Sequence, residues 1–194
     1  MNRADNHAGD SWAIADDWVL LEAYRRRACS RSLEELVGRH SGDVRNLIYP
    51  MVLDADEANE LTQETWLRAF QGLARFNGRS AFSTWLLRIA MNTTYTYLER
   101  KKRSPVTSLS DPLEPVDDVN EQPHDNLIKA ELDAAIESAL KSLTPKLRGA
   151  IVLTVMKGLS PVEAAKVEGC TAGTMYWRIH QARQLLQVRL GKWL

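Results

Sequence analysis

Residues 104–126 hold four prolines (Pro105, Pro112, Pro115 and Pro123), six acidic residues and no lysine or arginine. Proline fixes φ and lacks an N–H, and so polar a stretch has too little apolar surface to make a core. The segment reads as an extended acidic linker. It divides a chain of 194 residues into two pieces that must each find their own helices or strands. Neither piece contains an alternating apolar–polar run, whereas stripes at three- and four-residue spacing recur in both. The chain is therefore expected to be all-α: a flexible N-terminus at 1–16, a helical domain at 17–103, the linker at 104–126 and a second helical domain at 127–194.

In the first piece Asp17 is expected to cap a short helix carrying Trp18, Leu21 and Tyr24. Ser32 and Glu35 form a capping box ahead of the stripe Leu33, Leu36, Val37, His40, Val44, Leu47, Ile48 and Met51. His40 lies on that stripe with no metal partner spaced near it, so it reads as a core-edge residue. Asp54 and Glu57 cap the next helix, whose inward side would be Ala58, Leu61, Thr65, Trp66, Ala69, Phe70 and Leu73. After a break at Asn77-Gly78-Arg79, Ser80 is expected to cap a helix with Phe82, Trp85, Leu86, Ile89 and Thr93 on one face, ending in Arg100-Lys101-Lys102-Arg103. Helix returns from about Asp125, with Ile128, Leu132, Ile136, Ala139, Leu140 and Leu143 inward. Thr144-Pro145 opens a helix that stops at Gly158, and Ser160-Pro161-Val162-Glu163 opens a short one that stops at Gly169. Thr171 caps a final long helix. Two helices across a short glycine-containing turn, the second longer, form a helix-turn-helix.

A net charge of zero conceals an uneven distribution: −2 over 1–16, +3 over 17–103, −7 over 104–142 and +6 over 143–194. Two basic blocks around an acidic one suit two nucleic-acid-facing domains joined by a tether. No apolar run approaches a membrane span and no secretory signal opens the chain, so it is expected in the cytoplasm without direct membrane insertion. Cys29 and Cys170 are far apart and outside any metal-ligand spacing, and read as two reduced thiols. No phosphate loop, nucleophile elbow, zinc motif or redox pair is present. His7, His40, His124 and His180 are scattered. The expectation is no catalytic centre, no metal and no cofactor.

Binding surfaces stand in place of an active site. With Leu61, Trp66 and Phe70 inward, Asp56, Glu60, Gln63, Glu64 and Leu67 line the other side of their helix, an acidic stripe with one leucine that suits a basic partner helix. The run Arg75 to Phe82 gathers aromatic, amide, hydroxyl and cationic groups on a loop between packed helices, a mixture that can stack an unpaired base and read its edge. Phe82 and Trp85 keep core spacing, so Phe76 and Asn77 are the better contacts. On the last helix Met175, Ile179, Ala182 and Leu186 would be buried. Tyr176, Trp177, His180 and Gln181 then face outward near the end that enters a major groove. Arg178 and Arg183 flank them, free to hold phosphates or to pair internally.

The run Asp54–Phe70, with Glu60-Leu61-Thr62-Gln63-Glu64 and Trp66, resembles sigma-factor region 2.2. The run Phe76–Asn92, with Asn77-Gly78-Arg79-Ser80, Trp85 and Arg88, resembles regions 2.3 and 2.4 of extracytoplasmic-function (ECF) sigma factors. Gly169–Leu185, with Gly173-Thr174, Arg178 and Ala182-Arg183, resembles their region 4. The likeness covers roughly 17–103 and 126–190. It implies binding to core RNA polymerase through Asp56, Glu60, Gln63, Glu64 and Leu67. It implies minus-ten promoter contacts from Phe76, Asn77, Arg79, Ser80, Arg88, Asn92 and Thr96. Minus-thirty-five contacts would come from Lys146, Arg148, Thr171, Tyr176, Trp177, Arg178, His180, Gln181 and Arg183. A cognate anti-sigma factor is also implied, because the chain has no sensor domain of its own. The alternative is a stand-alone helix-turn-helix regulator, which would have no use for the region 2.2 face. The sequence departs from the family pattern at Arg79, where an acidic residue is usual, and at Thr96, where an amide is common. It departs again at Tyr176 and Trp177, which replace a basic residue and a serine. Ala164 and Glu168 are smaller or more polar than the usual aliphatics.

Overall fold

The computed structural model describes residues 16–27, 29–103, 123–191 and 193, and the side chains of these except Arg27 and residues 123–128. The expectations for residues 1–15 and 104–122, and for the side chains of His124 and Ile128, lie outside the described residues. Helix α1 spans Asp17–Arg27. Its cap is Asp16, whose carboxylate accepts from the Trp18 N–H at 3.1 Å, one residue before the expected Asp17. Asp17 instead reaches His40 Nε2 at 2.8 Å and Arg39 at 3.4 Å, tying α1 to α2 (Ser30–Val52). His40 is thus at the core edge, its ring edge-on to Phe82 at 5.3 Å.

The capping box expected at Ser32 does not form. Helix α2 begins at Ser30, three residues earlier than a Ser32 cap requires, and the buried Ser32 hydroxyl donates back to the Cys29 carbonyl at 2.8 Å while Glu35 pairs with Arg39 at 3.0 Å. Ser32 therefore sits inside the first turn, where its hydroxyl satisfies a carbonyl outside the helix. Leu53 ends α2 in the left-handed region (φ 58°) and is the one non-glycine residue there among the described residues. Asp54 follows at once as the cap of α3 (Ala55–Gly72), accepting from the Glu57 N–H at 2.9 Å. Glu57 does not close the box; its carboxylate pairs with Lys101 of α4 (Phe82–Arg103). Helix α4 starts one position later than a Ser80 cap requires, with the Ala81 carbonyl accepting from Trp85 N–H.

Helix α5 runs Pro123–Ser142, beginning two residues before Asp125 and within the expected linker; Pro123 stands at its first position, where no N–H is needed. Helix α6 (Pro145–Ile151) continues into a single π turn at Val152–Met156. The capping box at Ser160 and Glu163 forms in full at the start of α7 (Pro161–Glu168), and the Ser160 hydrogen bonds hold the Glu163 carboxyl below its ordinary range. Gly169 ends α7 at φ 66°, and Thr171 caps α8 (Ala172–Leu190) through the Thr174 N–H. No strand occurs among the described residues.

The two helical units, α1–α4 and α5–α8, do not stand apart. One buried cluster runs from Leu20 and Leu21 through Leu36, Leu47, Met51, Leu61, Leu86 and Met91 into Leu153, Ala164, Val167, Met175 and Ile179. A smaller one, Leu140, Leu143, Ile151 and Ala182, closes α5 over α6 and α8. Each fully buried leucine contributes about 1.5–3 kcal/mol.

Arg148 corrects the expectation of a phosphate-seeking arginine. It is 8% exposed and donates to the carbonyls of Met51 at 2.5 Å, Lys141 at 3.2 Å and Leu143 at 3.4 Å. Burial lowers its pKa from the ordinary arginine value. Its guanidinium serves the carbonyls left open at the ends of two helices, α2 and α5.

Candidate nucleic-acid and protein interfaces

The first face is carried by α3. Because Ala58, Leu61, Thr65, Trp66 and Ala69 are buried, a helical repeat turns Asp56, Glu60, Gln63 and Leu67 outward, and all four are exposed. Leu67 is 61% exposed. Glu64, half-buried, pairs with Arg68 one turn on, at 2.5 Å. Phe70 departs from the expected core stripe: it is 37% exposed, its ring lying beside Trp66 at 5.7 Å. Ala69 and Leu73 take the inward positions, which leaves Phe70 at the rim beside Leu67. The face thus has two apolar groups within an acidic border, and Phe70 and Arg68 are members the sequence did not suggest.

The second face is the loop between α3 and α4. Phe76 was expected to stand out from it. Its ring is instead buried, only 6% exposed, against Trp85 at 5.0 Å, Phe82 at 5.8 Å and Trp18 at 6.2 Å. Arg25 fixes this geometry by donating to the Phe76 and Leu73 carbonyls, which pins the chain as it leaves a 3-10 turn at Leu73–Arg75. Gly78 then adopts φ 73°, and a Cβ there would lie 2.7 Å from the Trp18 ring, so both backbone and space demand glycine. Asn77, Arg79, Ser80 and Ala81 are left exposed, with Asn77 Oδ1 accepting from the Arg79 N–H at 3.3 Å.

Under the loop lies a hollow of about 360 Å³, lined by Asp16, Trp18, Phe76, Gly78, Ser80 and Phe82 among others. Phe76 forms its wall rather than a free platform. Trp18, half-open to solvent, supplies the accessible aromatic surface. Sequence reasoning placed Trp18 on a first-helix stripe because nothing local shows that α1 folds back to the loop. Beyond the hollow, Arg88 and Asn92 are exposed one turn apart on α4, and the Thr96 hydroxyl is occupied by the Asn92 carbonyl at 2.9 Å.

The third face is α8. Met175, Ile179 and Ala182 are buried, and Tyr176, Trp177, His180 and Arg183 are exposed, with Gln181 at the edge. Trp177 is 60% exposed. No group on this face except Arg183 carries a fixed charge. Thr171 is engaged in capping. Two cations expected at phosphates share one buried carboxylate oxygen: Arg178 Nη1, itself largely buried, and Lys146 Nζ, whose side chain is still half exposed, reach Glu168 Oε2 at 3.1 and 3.2 Å, and the Glu168 side chain is fully buried. Lys166, exposed on α7 within electrostatic reach of Glu163, is a cation that the sequence reading passed over.

Among the described residues no cluster of His, Cys, Asp or Glu could hold a metal ion, and no helix is long and apolar enough to cross a membrane.

Residues 36–104 match the family model of sigma-70 region 2, and residues 133–186 match that of sigma-70 region 4. The RNA polymerase sigma-H factor of Pseudomonas aeruginosa is 32% identical over 182 residues, covering 90% of this chain and 93% of that protein. The ECF RNA polymerase sigma factor SigE of Mycolicibacterium smegmatis is 32% identical over 186 residues, covering 91% of this chain and 72% of that protein. In three dimensions the chain is similar to CnrH, solved with the cytosolic domain of CnrY, at a TM-score of 0.66 and 24% identity over 91% of this chain and 97% of that one. It is also similar to the sigma factor RpoE of Bartonella quintana, solved with the anti-sigma factor NepR, at a TM-score of 0.62 and 24% identity over 83% and 98%.

Proposed function

We propose a division of labour for this chain, which belongs to the extracytoplasmic-function (ECF) family of RNA polymerase sigma factors and directs promoter-specific transcription initiation. The unit of residues 17–103 meets core polymerase through Asp56, Glu60, Gln63, Glu64 and Leu67, with Phe70 at the rim. Its loop residues Asn77, Arg79 and Ser80, with Arg88 and Asn92 on α4, meet the minus-ten element. An unpaired base enters the hollow beside Trp18, where stacking and a hydroxyl are on offer that a duplex cannot use. Gly78→Ala would add a methyl against Trp18 in a strained backbone. It is expected to abolish promoter melting by permanganate footprinting while leaving polymerase binding intact.

The unit of residues 127–194 reads the minus-thirty-five element through Tyr176, Trp177, His180 and Gln181. The observation that carries this reading is the outward face of α8, half-aromatic and with Arg183 as its one fixed charge. Gln181 can pair bidentately with adenine and an aromatic edge can touch a thymine methyl, while Arg183 and Lys166 serve the phosphates. The test is a randomised minus-thirty-five library transcribed by mutant holoenzymes. Gln181→Ala is expected to change the preferred base at one position by about 1–3 kcal/mol. Arg183→Ala is expected to weaken all sequences alike and lower the salt slope by about one. A uniform loss of output from Gln181→Ala would count against Gln181 as a base reader.

The factor is read as non-catalytic and as working in the cytoplasm, where polymerase and DNA meet. A cognate anti-sigma factor is proposed as its regulator, on the example of the complexes of its structural neighbours. A groove of about 680 Å³ between α2 and α5, lined by Asp43, Asp133, Glu137, Ile136, Leu140 and Met156, offers acidic and apolar surface to such a partner. A stand-alone regulator would not need the α3 face.

A further inference from the structure

One wall of the hollow under the minus-ten loop comes from α1 and its cap, which precede the residues 36–104 matched to region 2. Asp16 lines the hollow together with Trp18, facing Phe76 and Ser80 of the loop. Its Oδ1 accepts from the Trp18 N–H at 3.1 Å, and among the described residues nothing engages Oδ2. Asp17 lines the same wall, but its carboxylate is committed to His40 at 2.8 Å and Arg39 at 3.4 Å. Ser80 is exposed, with a hydroxyl that can donate or accept. No lysine, arginine or histidine is among the described residues that line the hollow. Arg25 lies over the Trp18 ring at 5.6 Å and gives its guanidinium to the Leu73 and Phe76 carbonyls and to Glu22. The hollow is therefore aromatic in its walls and weighted towards acceptors in its polar groups. At about 360 Å³ it has the size of a small-molecule site.

Such a site sorts bases by what their edges can donate. Cytosine, adenine and guanine each carry an exocyclic amine that can donate to a carboxylate. Thymine carries none and offers carbonyl oxygens, which meet the Asp16 oxygen as acceptor against acceptor. A phosphate is repelled by the same carboxylate, so a base can enter while the backbone stays outside. We propose that Asp16 is a specificity-determining residue of the minus-ten site, selecting an amine-bearing base for the hollow and rejecting thymine. The selectivity rests on the reading above that an unpaired base enters beside Trp18, and it names the class of base.

The test is equilibrium binding of the full-length chain, assembled with core polymerase, to fork DNA whose non-template strand is unpaired across the minus-ten element. Each unpaired position is made abasic in turn. The captured position is the one whose abasic penalty shrinks in Trp18→Leu, which keeps apolar bulk but removes the stacking surface. At that position the wild type is expected to bind thymine about tenfold more weakly than cytosine, adenine or guanine. Asparagine and serine cap helices as well as aspartate does, so Asp16→Asn and Asp16→Ser leave the start of α1 intact. Asp16→Asn adds a donor that a thymine carbonyl can accept, and Asp16→Ser is too short to reach a base. Both are expected to level the four bases, with unchanged affinity for core polymerase and for a minus-thirty-five duplex. Discrimination against thymine that survives in both variants overturns the proposal. So does a uniform loss across all four bases, the mark of a merely structural cap, and so does a wild type that captures a base yet accepts thymine equally. If no abasic penalty depends on Trp18, the entry of a base into the hollow has itself failed, and the selectivity falls with it.

Discussion

Arg148→Ala is expected to destabilise the chain by about 3 kcal/mol without altering the salt dependence of minus-thirty-five binding. Three carbonyls accept from this one guanidinium, and removing it takes the donor from all three, two of them, those of Met51 and Leu143, in buried contacts. Two of the three, Lys141 and Leu143, belong to the same unit as Arg148. Arg148→Lys is expected to recover little, because one ammonium cannot span the three acceptors that a planar fork reaches. Denaturant midpoints measure the stability. A parallel salt titration of minus-thirty-five duplex binding measures the other half. If Arg148 were at a phosphate, the slope would fall by about one and the midpoint would stay put.

Arg148 also shows where sequence reading stops. The all-α class, the order of helices and most caps were legible, because they depend on local spacing and local chemistry. Asp54, Ser160 and Thr171 each cap as expected, since the side chain and the N–H it serves are three residues apart. Ser32 failed the same test because α2 starts at Ser30 with Cys29 at the cap position, so Ser32 lies within the first turn and its hydroxyl donates back to the Cys29 carbonyl. The faces on α3 and α8 were legible for a similar reason: once the buried stripe is known, the other side follows from the helical repeat.

What was not legible lies between elements far apart in sequence. Phe76 has the look of an exposed loop aromatic until α1 folds back and Trp18, Phe82 and Trp85 enclose it. Lys146 and Arg178 have the look of phosphate ligands until Glu168 is placed between them. Glu168 was visible only as a polar residue at an aliphatic position. Its partner Tyr95 is 73 residues away, and no periodicity links the two. The departure was readable; its reason required the docking of the two units.

Leu67→Asp is expected to weaken binding to core polymerase by about 2–3 kcal/mol, roughly 30- to 150-fold in Kd. A leucine that is 61% exposed, beside a half-open Phe70 and within a border of Asp56, Glu60, Gln63 and Glu64, has the layout of an interface anchor: an apolar centre that a partner dries and a polar rim that sets charge. In the free chain the leucine side chain touches mainly water, so the substitution should change folding stability by no more than about 0.5 kcal/mol. Trp66→Ala would be a poor substitute test, because Trp66 is buried and its loss would perturb the whole unit. Glu64→Lys is expected to act differently. It places a lysine one turn from Arg68, which Glu64 now neutralises at 2.5 Å, and presents a basic partner with two like charges. Its effect should be smaller, fall mainly on the association rate and shrink as salt rises, as rim charges do. The two variants therefore separate contact from steering. Dissociation of the Leu67→Asp complex should be fast at every ionic strength, whereas the Glu64→Lys defect should fade in high salt. Wild-type affinity in Leu67→Asp, at unchanged helical content, would take the polymerase contact away from α3.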